Sequence, residues 1–220
     1  MNPSIQAAPA RVTVQIRPAG SRAELHEFSR WHHLAGVPQS RPAGRNLVEV
    51  DDAGILATGL TRSYAAEKLN SLTVPGGIPT VLAARTMALV AVADHPIGGL
   101  SVGPSFFLCA QMTTQGPATV LHAALATMKI HAVAVKPAWR RRGIGTALLR
   151  PALTIARQAG ASVVYGQFNT DTVGLTEFYR HSGMDVSNPD APLHMNALID
   201  LPAVITPLPG ETLFHRVVNQ

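Results

Sequence analysis

A short pattern of arginines and glycines in the second half of the chain has residue types that could bind phosphate. The pattern is Arg140-x-x-Gly143-x-Gly145, and it lies between an alternating apolar segment and a stretch with helical periodicity. The start of a helix carries unpaired backbone N–H groups and the positive end of the helix dipole. Glycines let an anion approach those donors without a side chain in the way. A pattern of this length is weak evidence by itself, and it is neither a Walker motif nor the dinucleotide-binding GxGxxG.

The surroundings of this pattern are strongly basic. The chain has 15 arginines and 3 lysines against 13 acids, which gives a net charge of +5. No Asp or Glu occurs between Asp94 and Asp171, a stretch that contains seven of the basic residues. A uniformly positive region suits a phosphate-bearing partner, and both nucleic acid and a polyphosphate cofactor are candidates. The plain alternative is an arginine-rich protein without such a partner.

Composition indicates a globular protein, with 46% hydrophobic and 14% charged residues. We expect one domain over residues 1–220, with residues 1–10 as a loose tail. The single cysteine, Cys109, excludes an intrachain disulfide and leaves too few thiols for a cysteine-based zinc site. The N-terminus does not resemble a signal peptide, and the longest apolar region, Val81–Ala93, is too short to span a bilayer. These features predict a cytoplasmic protein that is not bound to a membrane.

Periodicity places the glycine pattern between a strand and a helix. Residues 130–135 alternate as a strand does, and residues 143–159 carry apolar side chains at helical spacing. Gly160 fits the position just past the end of that helix, whereas Pro151 in its interior should kink or break it. The next strand is predicted at residues 162–168, followed by a loop at 169–172 and a helix at 173–182.

The rest of the chain gives weaker signals. Ser21 is predicted to start a helix, because Glu24 stands at the capping-box position. The other predicted elements are strands at 11–17, 184–187 and 212–218, hairpins at 46–50/55–60 and 88–92/98–102, helices at 63–72 and 119–128, a loop at 37–45 and a turn at 74–79.

Two segments resemble one protein family. Residues 133–149 (VAVKPAWRRRGIGTALL) strongly resemble the acetyl-CoA-binding motif of the GCN5-related N-acetyltransferases, the GNAT family. Residues 177–184 (EFYRHSGM) are similar to that family's tyrosine-bearing helix, and the best-matched core is 129–187. The resemblance implies an α/β fold with a mixed, mainly antiparallel twisted sheet flanked by helices. Its parallel central strands would be splayed to admit the cofactor.

The resemblance also implies a reaction and a set of roles. The reaction is direct acetyl transfer from acetyl-CoA to a primary amine, without a metal or a covalent enzyme intermediate. Tyr179 would act as the general acid that protonates the departing thiolate, since a phenol is protonated at neutral pH. Strand backbone groups would pair with the pantetheine arm, and the glycine loop with its arginines would hold the phosphates. The cofactor-binding residues predicted in this way are Val133, Val135, Arg140, Arg141, Arg142, Gly143, Ile144, Gly145 and Thr146.

The sequence departs from the family pattern at two functional positions. The family's frequent asparagine before the tyrosine is Thr172 here. The position where some members carry a glutamate base is Lys129, which cannot accept a proton when it is charged. His131, predicted on the same strand face as Val133 and Val135, could accept the amine's proton instead. A hydrogen-bonded structural histidine is the alternative interpretation.

The acceptor amine is not identified by the sequence. A small amine, an antibiotic, an amino acid, a peptide N-terminus, a lysine and a charged tRNA are all compatible, and a homodimer is left open. A basic nucleic-acid-binding or regulatory module of the same fold, without turnover, is the alternative function. The predicted walls of the acceptor site are segments 103–128 and 188–210 and the first helix with Trp31, His32 and His33. Candidate acids are Glu24, Glu27, Asp94 and Glu177, with Glu27 favoured.

Overall fold

The computed structural model describes residues 13–38, 40–71 and 76–218, which form a central sheet flanked by helices. The described strands are β1 (Gln15–Pro18), β2 (Met87–Val92), β3 (Pro96–Gly103), β4 (Thr127–Val135), β5 (Val163–Asn169), β6 (Asp185–Val186), β7 (Leu193–His194), β8 (Val204–Ile205) and β9 (Glu211–Val217). Seven of them form one sheet in the order β1-β2-β3-β4-β5-β9-β6, and β7 pairs with β8 separately. The β4–β5 pair is parallel and the other pairs are antiparallel, which confirms the predicted mixed, mainly antiparallel sheet.

Helices cover both faces of this sheet. The described helices are α1 (Arg22–His26), α2 (Phe28–Leu34), α3 (Pro42–Asp52), α4 (Arg62–Ser71), α5 (Gly77–Ala84), α6 (Phe106–Gln111), α7 (Pro117–Ala126), α8 (Ile144–Gln158), α9 (Leu175–His181) and α10 (Asn196–Ile199), with 3-10 turns at Met112–Gln115 and Pro137–Trp139. None of these helices is long and apolar enough to cross a membrane. The predicted tail, residues 1–10, lies outside the described residues.

The core is divided between the two faces. The first face packs against α8 and α9 and contains Met128 and Leu148. On the opposite face, α1–α3 enclose Trp31, while α4–α7 and the β7–β8 segment pack around Leu121 and Tyr165. The opposite face therefore has two apolar clusters side by side, and the ends of the central strands lie between them.

The parallel strands β4 and β5 separate soon after they meet. Their pairing covers only Thr127–Lys129 with Val163–Tyr165. Beyond this point, β4 continues to Val135 on β3 and β5 continues to Asn169 on β9. The two strands therefore open like a V, as the predicted splay requires.

A β-bulge interrupts β4 at His131. Ser101 of β3 pairs with Ala132, and the next β3 residue, Val102, pairs with Ile130, so His131 has no partner. A bulge adds one residue to a strand and shifts the alternation of its side chains. Ile130 before the bulge and Val133 after it consequently pack on the α8 face. The expected shared face of His131 and Val133 is therefore wrong.

Helix α8 begins and ends as predicted, but its interior differs. Gly143 caps the N-terminus with a left-handed φ of 76°. At the other end, Gly160 donates to the Arg157 carbonyl and Ala161 to the Ala156 carbonyl, the pair of bonds of a Schellman motif. The helix runs over 15 residues through Pro151 without a break. The tertiary packing of its apolar face outweighs the one backbone bond that proline removes.

The predicted loop and hairpin over residues 37–60 are wrong, because Pro42–Asp52 form α3. Pro42 occupies the first turn, where its missing N–H costs nothing. Gly44 lies against the backbone of His26, at a distance where a Cβ atom would not fit. Leu47 and Val48 are buried against α1 and α2. Contacts with a distant segment thus select the helix, and a local pattern could not show this. The turn predicted at 74–79 is also corrected, since α5 begins at Gly77.

Candidate active site

The glycine loop forms an exposed, positively charged helix start beside the V. Gly143 has a left-handed φ of 76°, and its missing Cβ would point into open space. Arg141 is also left-handed, with a φ of 62°, and Arg141 and Arg142 are both exposed. The first backbone N–H groups of α8 have no intrahelical partner. The loop therefore offers unpaired donors and two exposed guanidinium groups to an anion.

Helix α9 packs directly on this helix start. A Cβ atom at Gly145 would lie 3.0 Å from the ring of Phe178, so a glycine is needed for the close approach. The hydroxyls of Thr146 and Ser182 are 3.3 Å apart and join the two helices by a hydrogen bond. These contacts fix α9, and with it Tyr179, relative to the loop.

The edge of β4 that faces the V carries free backbone groups. The Lys136 N–H donates to the Ile97 carbonyl of β3 over 2.8 Å. Since backbone groups of a strand alternate in direction, the N–H groups of Val133 and Val135 point away from β3, toward the V. The Val135 carbonyl accepts a bond from Arg140 Nε at 3.0 Å. Arg140 thus braces the strand end, Arg142 lies over the Trp139 ring with its guanidinium carbon 5.0 Å from the centroid, and both Arg141 and Arg142 are exposed.

Tyr179 is held by other aromatic rings. It stacks on Phe214 with centroids 3.7 Å apart and on Phe168 at 5.3 Å, and Phe178 contacts it edge-on at 4.9 Å. The residue is 5% exposed, and its hydroxyl forms no hydrogen bond with the described part of the chain. Burial raises the pKa of the phenol above its usual value of 10. A protonated, rigidly placed donor is the result.

On the opposite face, six polar side chains follow one another across the sheet. His32 Nε2 lies 2.7 Å from Ser101 Oγ, and His131 is close enough to His32 and Lys129 for their charges to affect its pKa. Lys129 Nζ donates to Gln167 Oε1 at 2.9 Å, and Gln167 Nε2 donates to Glu211 Oε2 at 2.7 Å. We call this row, made of His32, Ser101, Lys129, His131, Gln167 and Glu211, the polar row.

The polar row marks a cleft. Lys129, His131, Gln167 and Glu211 lie on strands of the sheet interior or directly beside them, yet each is partly exposed. They are located between the apolar cluster of α1–α3 and that of α4–α7, at the point where β4 and β5 separate. Partial exposure of central strand positions requires an opening between the two clusters.

Burial keeps the histidines of the polar row neutral. It lowers the pKa of His131 to about 3, and the positive charge of Lys129 contributes to the shift. Backbone hydrogen bonds with Gly103 and Pro104 act in the other direction. Burial also lowers the pKa of His32 to about 4. An imidazole with so low a pKa holds a proton poorly. The structure therefore favours the interpretation of His131 as a hydrogen-bonded structural residue.

The structure changes the set of candidate acids and walls. Trp31 is fully buried against Gly99 and belongs to the core, not to a site wall. Glu24 is held by both terminal nitrogens of Arg17, at 3.0 and 2.6 Å. Glu27, the favoured acid, is half-buried and lies 3.8 Å from Arg30. Glu211, which the sequence analysis did not consider, is the acid beside the V, because the β5–β9 pairing brings the end of the chain there.

A groove of about 520 Å³ runs along the flank of α8. Its basic residues are Arg150, Arg157, His181 and Arg216, and no carboxylate among residues 13–38, 40–71 and 76–218 lines it. It starts at Thr146 and extends away from the glycine loop. Positive charge without neighbouring acids therefore extends from the glycine loop along the flank of α8.

Comparisons with known proteins agree with this architecture. Residues 80–184 match the model of the acetyltransferase (GNAT) family. A putative GNAT acetyltransferase from Desulfovibrio desulfuricans is 16% identical, with a TM-score of 0.54 over 94% of this chain and 99% of that one. The putative acetyltransferase yncA from Salmonella typhimurium, solved with acetyl-CoA, is 15% identical, with a TM-score of 0.55 over 94% and 95%. Ard1 from Thermoplasma volcanium is 16% identical, with a TM-score of 0.51 over 94% of this chain and 99% of that one. No curated protein sequence matches significantly.

The chain has the fold of solved acetyltransferases, with a splayed pair of parallel strands beside a glycine-rich helix start. The family match falls on the segment that builds this part of the molecule. Residues 80–184 of this chain are thus similar to the GNAT acetyltransferase family, and the chain has the fold of solved GNAT acetyltransferases.

Proposed function

We propose that the protein transfers an acetyl group from acetyl-CoA to a primary amine. The observation that carries the proposal is the separation of β4 from β5 directly beside the start of α8. A relative of the same fold was solved with acetyl-CoA, which supports the choice of acyl donor. Acetyl-CoA supplies the activated acetyl group as a thioester.

The residues present fit this co-substrate. The unpaired N–H groups from Arg141 through Thr146, including those of Gly143, Ile144 and Gly145, would hold its pyrophosphate, with Arg141 and Arg142 as counter-charges. The outward N–H groups of Val133 and Val135 would bond to the pantetheine arm as a neighbouring strand would. Arg140 would act indirectly, by fixing the end of β4 through the Val135 carbonyl.

Tyr179 is proposed as the general acid. When the amine nitrogen bonds to the acetyl carbon and the carbon–sulfur bond breaks, the phenol would donate its proton to the sulfur. The free hydroxyl supports this role, as does the aromatic packing that keeps the ring in place. The N–H of Val133 would polarise the acetyl carbonyl, because an oriented donor stabilises charge that develops on oxygen.

His131 remains a predicted proton acceptor for the amine. Its neutral state is suitable, but its low pKa leaves it a weak base. A water molecule at the polar row would carry the amine's proton onward from the imidazole. His131 would then hold the proton only briefly, which a weak base can do.

The direct test is calorimetric titration with acetyl-CoA, followed by detection of acetylated amines by mass spectrometry. We expect saturable binding of one acetyl-CoA per chain and a gain in thermal stability that rises with ligand concentration. An absence of both effects at millimolar acetyl-CoA would disprove the proposed function.

A further inference from the structure

The polar row holds one cation and one anion on the two sides of a single amide group. Lys129 Nζ and Glu211 Oε2 are both hydrogen-bonded to the side chain of Gln167, at 2.9 and 2.7 Å. The amide orientation is fixed, because its oxygen must face the ammonium group and its nitrogen the carboxylate. The two charges are therefore held a set distance apart, on either side of the Gln167 amide.

Each charge keeps unused bonding capacity. Lys129 forms no ion pair among the described residues, and its ammonium group has two further N–H donors. Glu211 Oε2 also accepts the Leu208 N–H at 3.0 Å, whereas no described residue bonds to Oε1. A partly buried ammonium group without an anionic partner is costly, and a ligand anion would remove that cost.

The neighbours of these charges do not compete for the ligand. His32 and His131 are neutral at physiological pH because burial lowers their pKa values to about 4 and 3. Ser101 is bonded to His32. Lys129 and Glu211 are accordingly the charged groups of the polar row.

We propose that the acceptor is an amino acid, whose carboxylate binds Lys129 and whose amine binds Glu211. This inference rests on the proposed function, since it names the substrate of the same site. In an amino acid the two charged groups are close together and opposite in sign, as Lys129 and Glu211 are. A simple amine would satisfy Glu211 alone and would leave Lys129 without a partner.

The test uses the wild-type protein with acetyl-CoA and matched pairs of acceptors. Each pair is an amino acid and the amine formed by its decarboxylation, such as leucine with isoamylamine, phenylalanine with phenethylamine and histidine with histamine. The full set of amino acids is presented in pools, and N-acetyl products are quantified by mass spectrometry. We expect the amino acid to be acetylated at least about tenfold faster than its amine, the effect of one added charge-assisted contact.

Two isosteric variants assign the preference to the proposed groups. Lys129→Met should bring the ratio of amino acid to amine rates close to one, whereas Glu211→Gln should lower both rates and leave the ratio in place. Circular dichroism and acetyl-CoA titration confirm that each variant is folded and binds the co-substrate.

Equal or faster acetylation of the amines by wild type would overturn this inference. So would binding of acetyl-CoA without acetylation of any amino acid in the pools. Failure to bind acetyl-CoA is a different result, since it removes the proposed function itself and the inference with it.

Discussion

The glycine loop and the polar row are built in opposite ways. The loop consists of consecutive residues, 140–146, and its donors and charges follow from the start of one helix. The polar row takes its members from α2, β3, β4, β5 and β9, which are separated by up to 179 positions along the chain, from His32 to Glu211. The difference shows that a loop rich in donors and positive charge can be built locally, whereas a row of polar side chains such as this one is assembled by the whole fold.

The two regions also differ in how they carry charge. At the loop, Arg141 and Arg142 are exposed, so the contribution of their charges is weakened by salt. In the polar row the charges are partly buried and held by hydrogen bonds. Changes at the loop should affect co-substrate binding, while changes in the row should affect selectivity and stability.

The largest expected effect comes from Tyr179, which packs in the apolar cluster beneath α8 and α9. Tyr179→Phe keeps the ring stacked on Phe214 and removes the proton donor. The kcat should fall by roughly 10²- to 10⁴-fold, a typical share for a general acid, with little change in acetyl-CoA affinity. Steady-state kinetics with a suitable amine and calorimetry measure the two quantities. Tyr64→Phe is the matched control, and a kcat for Tyr179→Phe within twofold of wild type would assign the proton to another group.

A smaller effect is expected from a negative charge in the glycine loop. Gly143→Glu should weaken acetyl-CoA binding on the order of 100-fold, because like charges placed together cost several kcal/mol. Gly54→Glu is the control, since Gly54 also has a positive φ, 67°, and open space around its missing Cβ. Gly143→Gln separates charge from backbone strain. Equal affinities for Gly143→Glu and Gly143→Gln would show that phosphate does not bind there.

The smallest effect concerns the pH dependence of stability set by the polar row. Burial lowers the pKa of His131 to about 3, so the unfolded state binds more protons between about pH 3 and 6.5. Stability therefore rises with pH across this window and is lost as the pH falls. His131→Gln should reduce the loss between pH 7 and pH 5 by about 1 to 2 kcal/mol.

Urea denaturation at the two pH values measures this difference. His95→Gln, a change at an exposed histidine, is the control and should behave as wild type does. If His131→Gln loses as much stability as wild type on acidification, the imidazole is not buried in its neutral form in solution.

Local signals explain why the cofactor side could be predicted. The alternation of β4, the glycines at the start of α8 and Gly160 at its end each express a preference of neighbouring residues. The strand–glycine loop–helix order follows from these preferences alone. The family resemblance added the roles of the residues, which stay proposals for Tyr179, His131 and the loop.

The sequence by itself thus determined the order of strand, glycine loop and helix, because that order depends on short-range patterns, whereas the mixed sheet was implied by the family resemblance. Tertiary structure decided that residues 42–52 form a helix, since Gly44 must fit against the backbone of His26. It also placed His131 on a bulge and brought Glu211 to the mouth of the V through the β5–β9 pairing. Contacts between distant segments, which no local pattern encodes, produced the polar row.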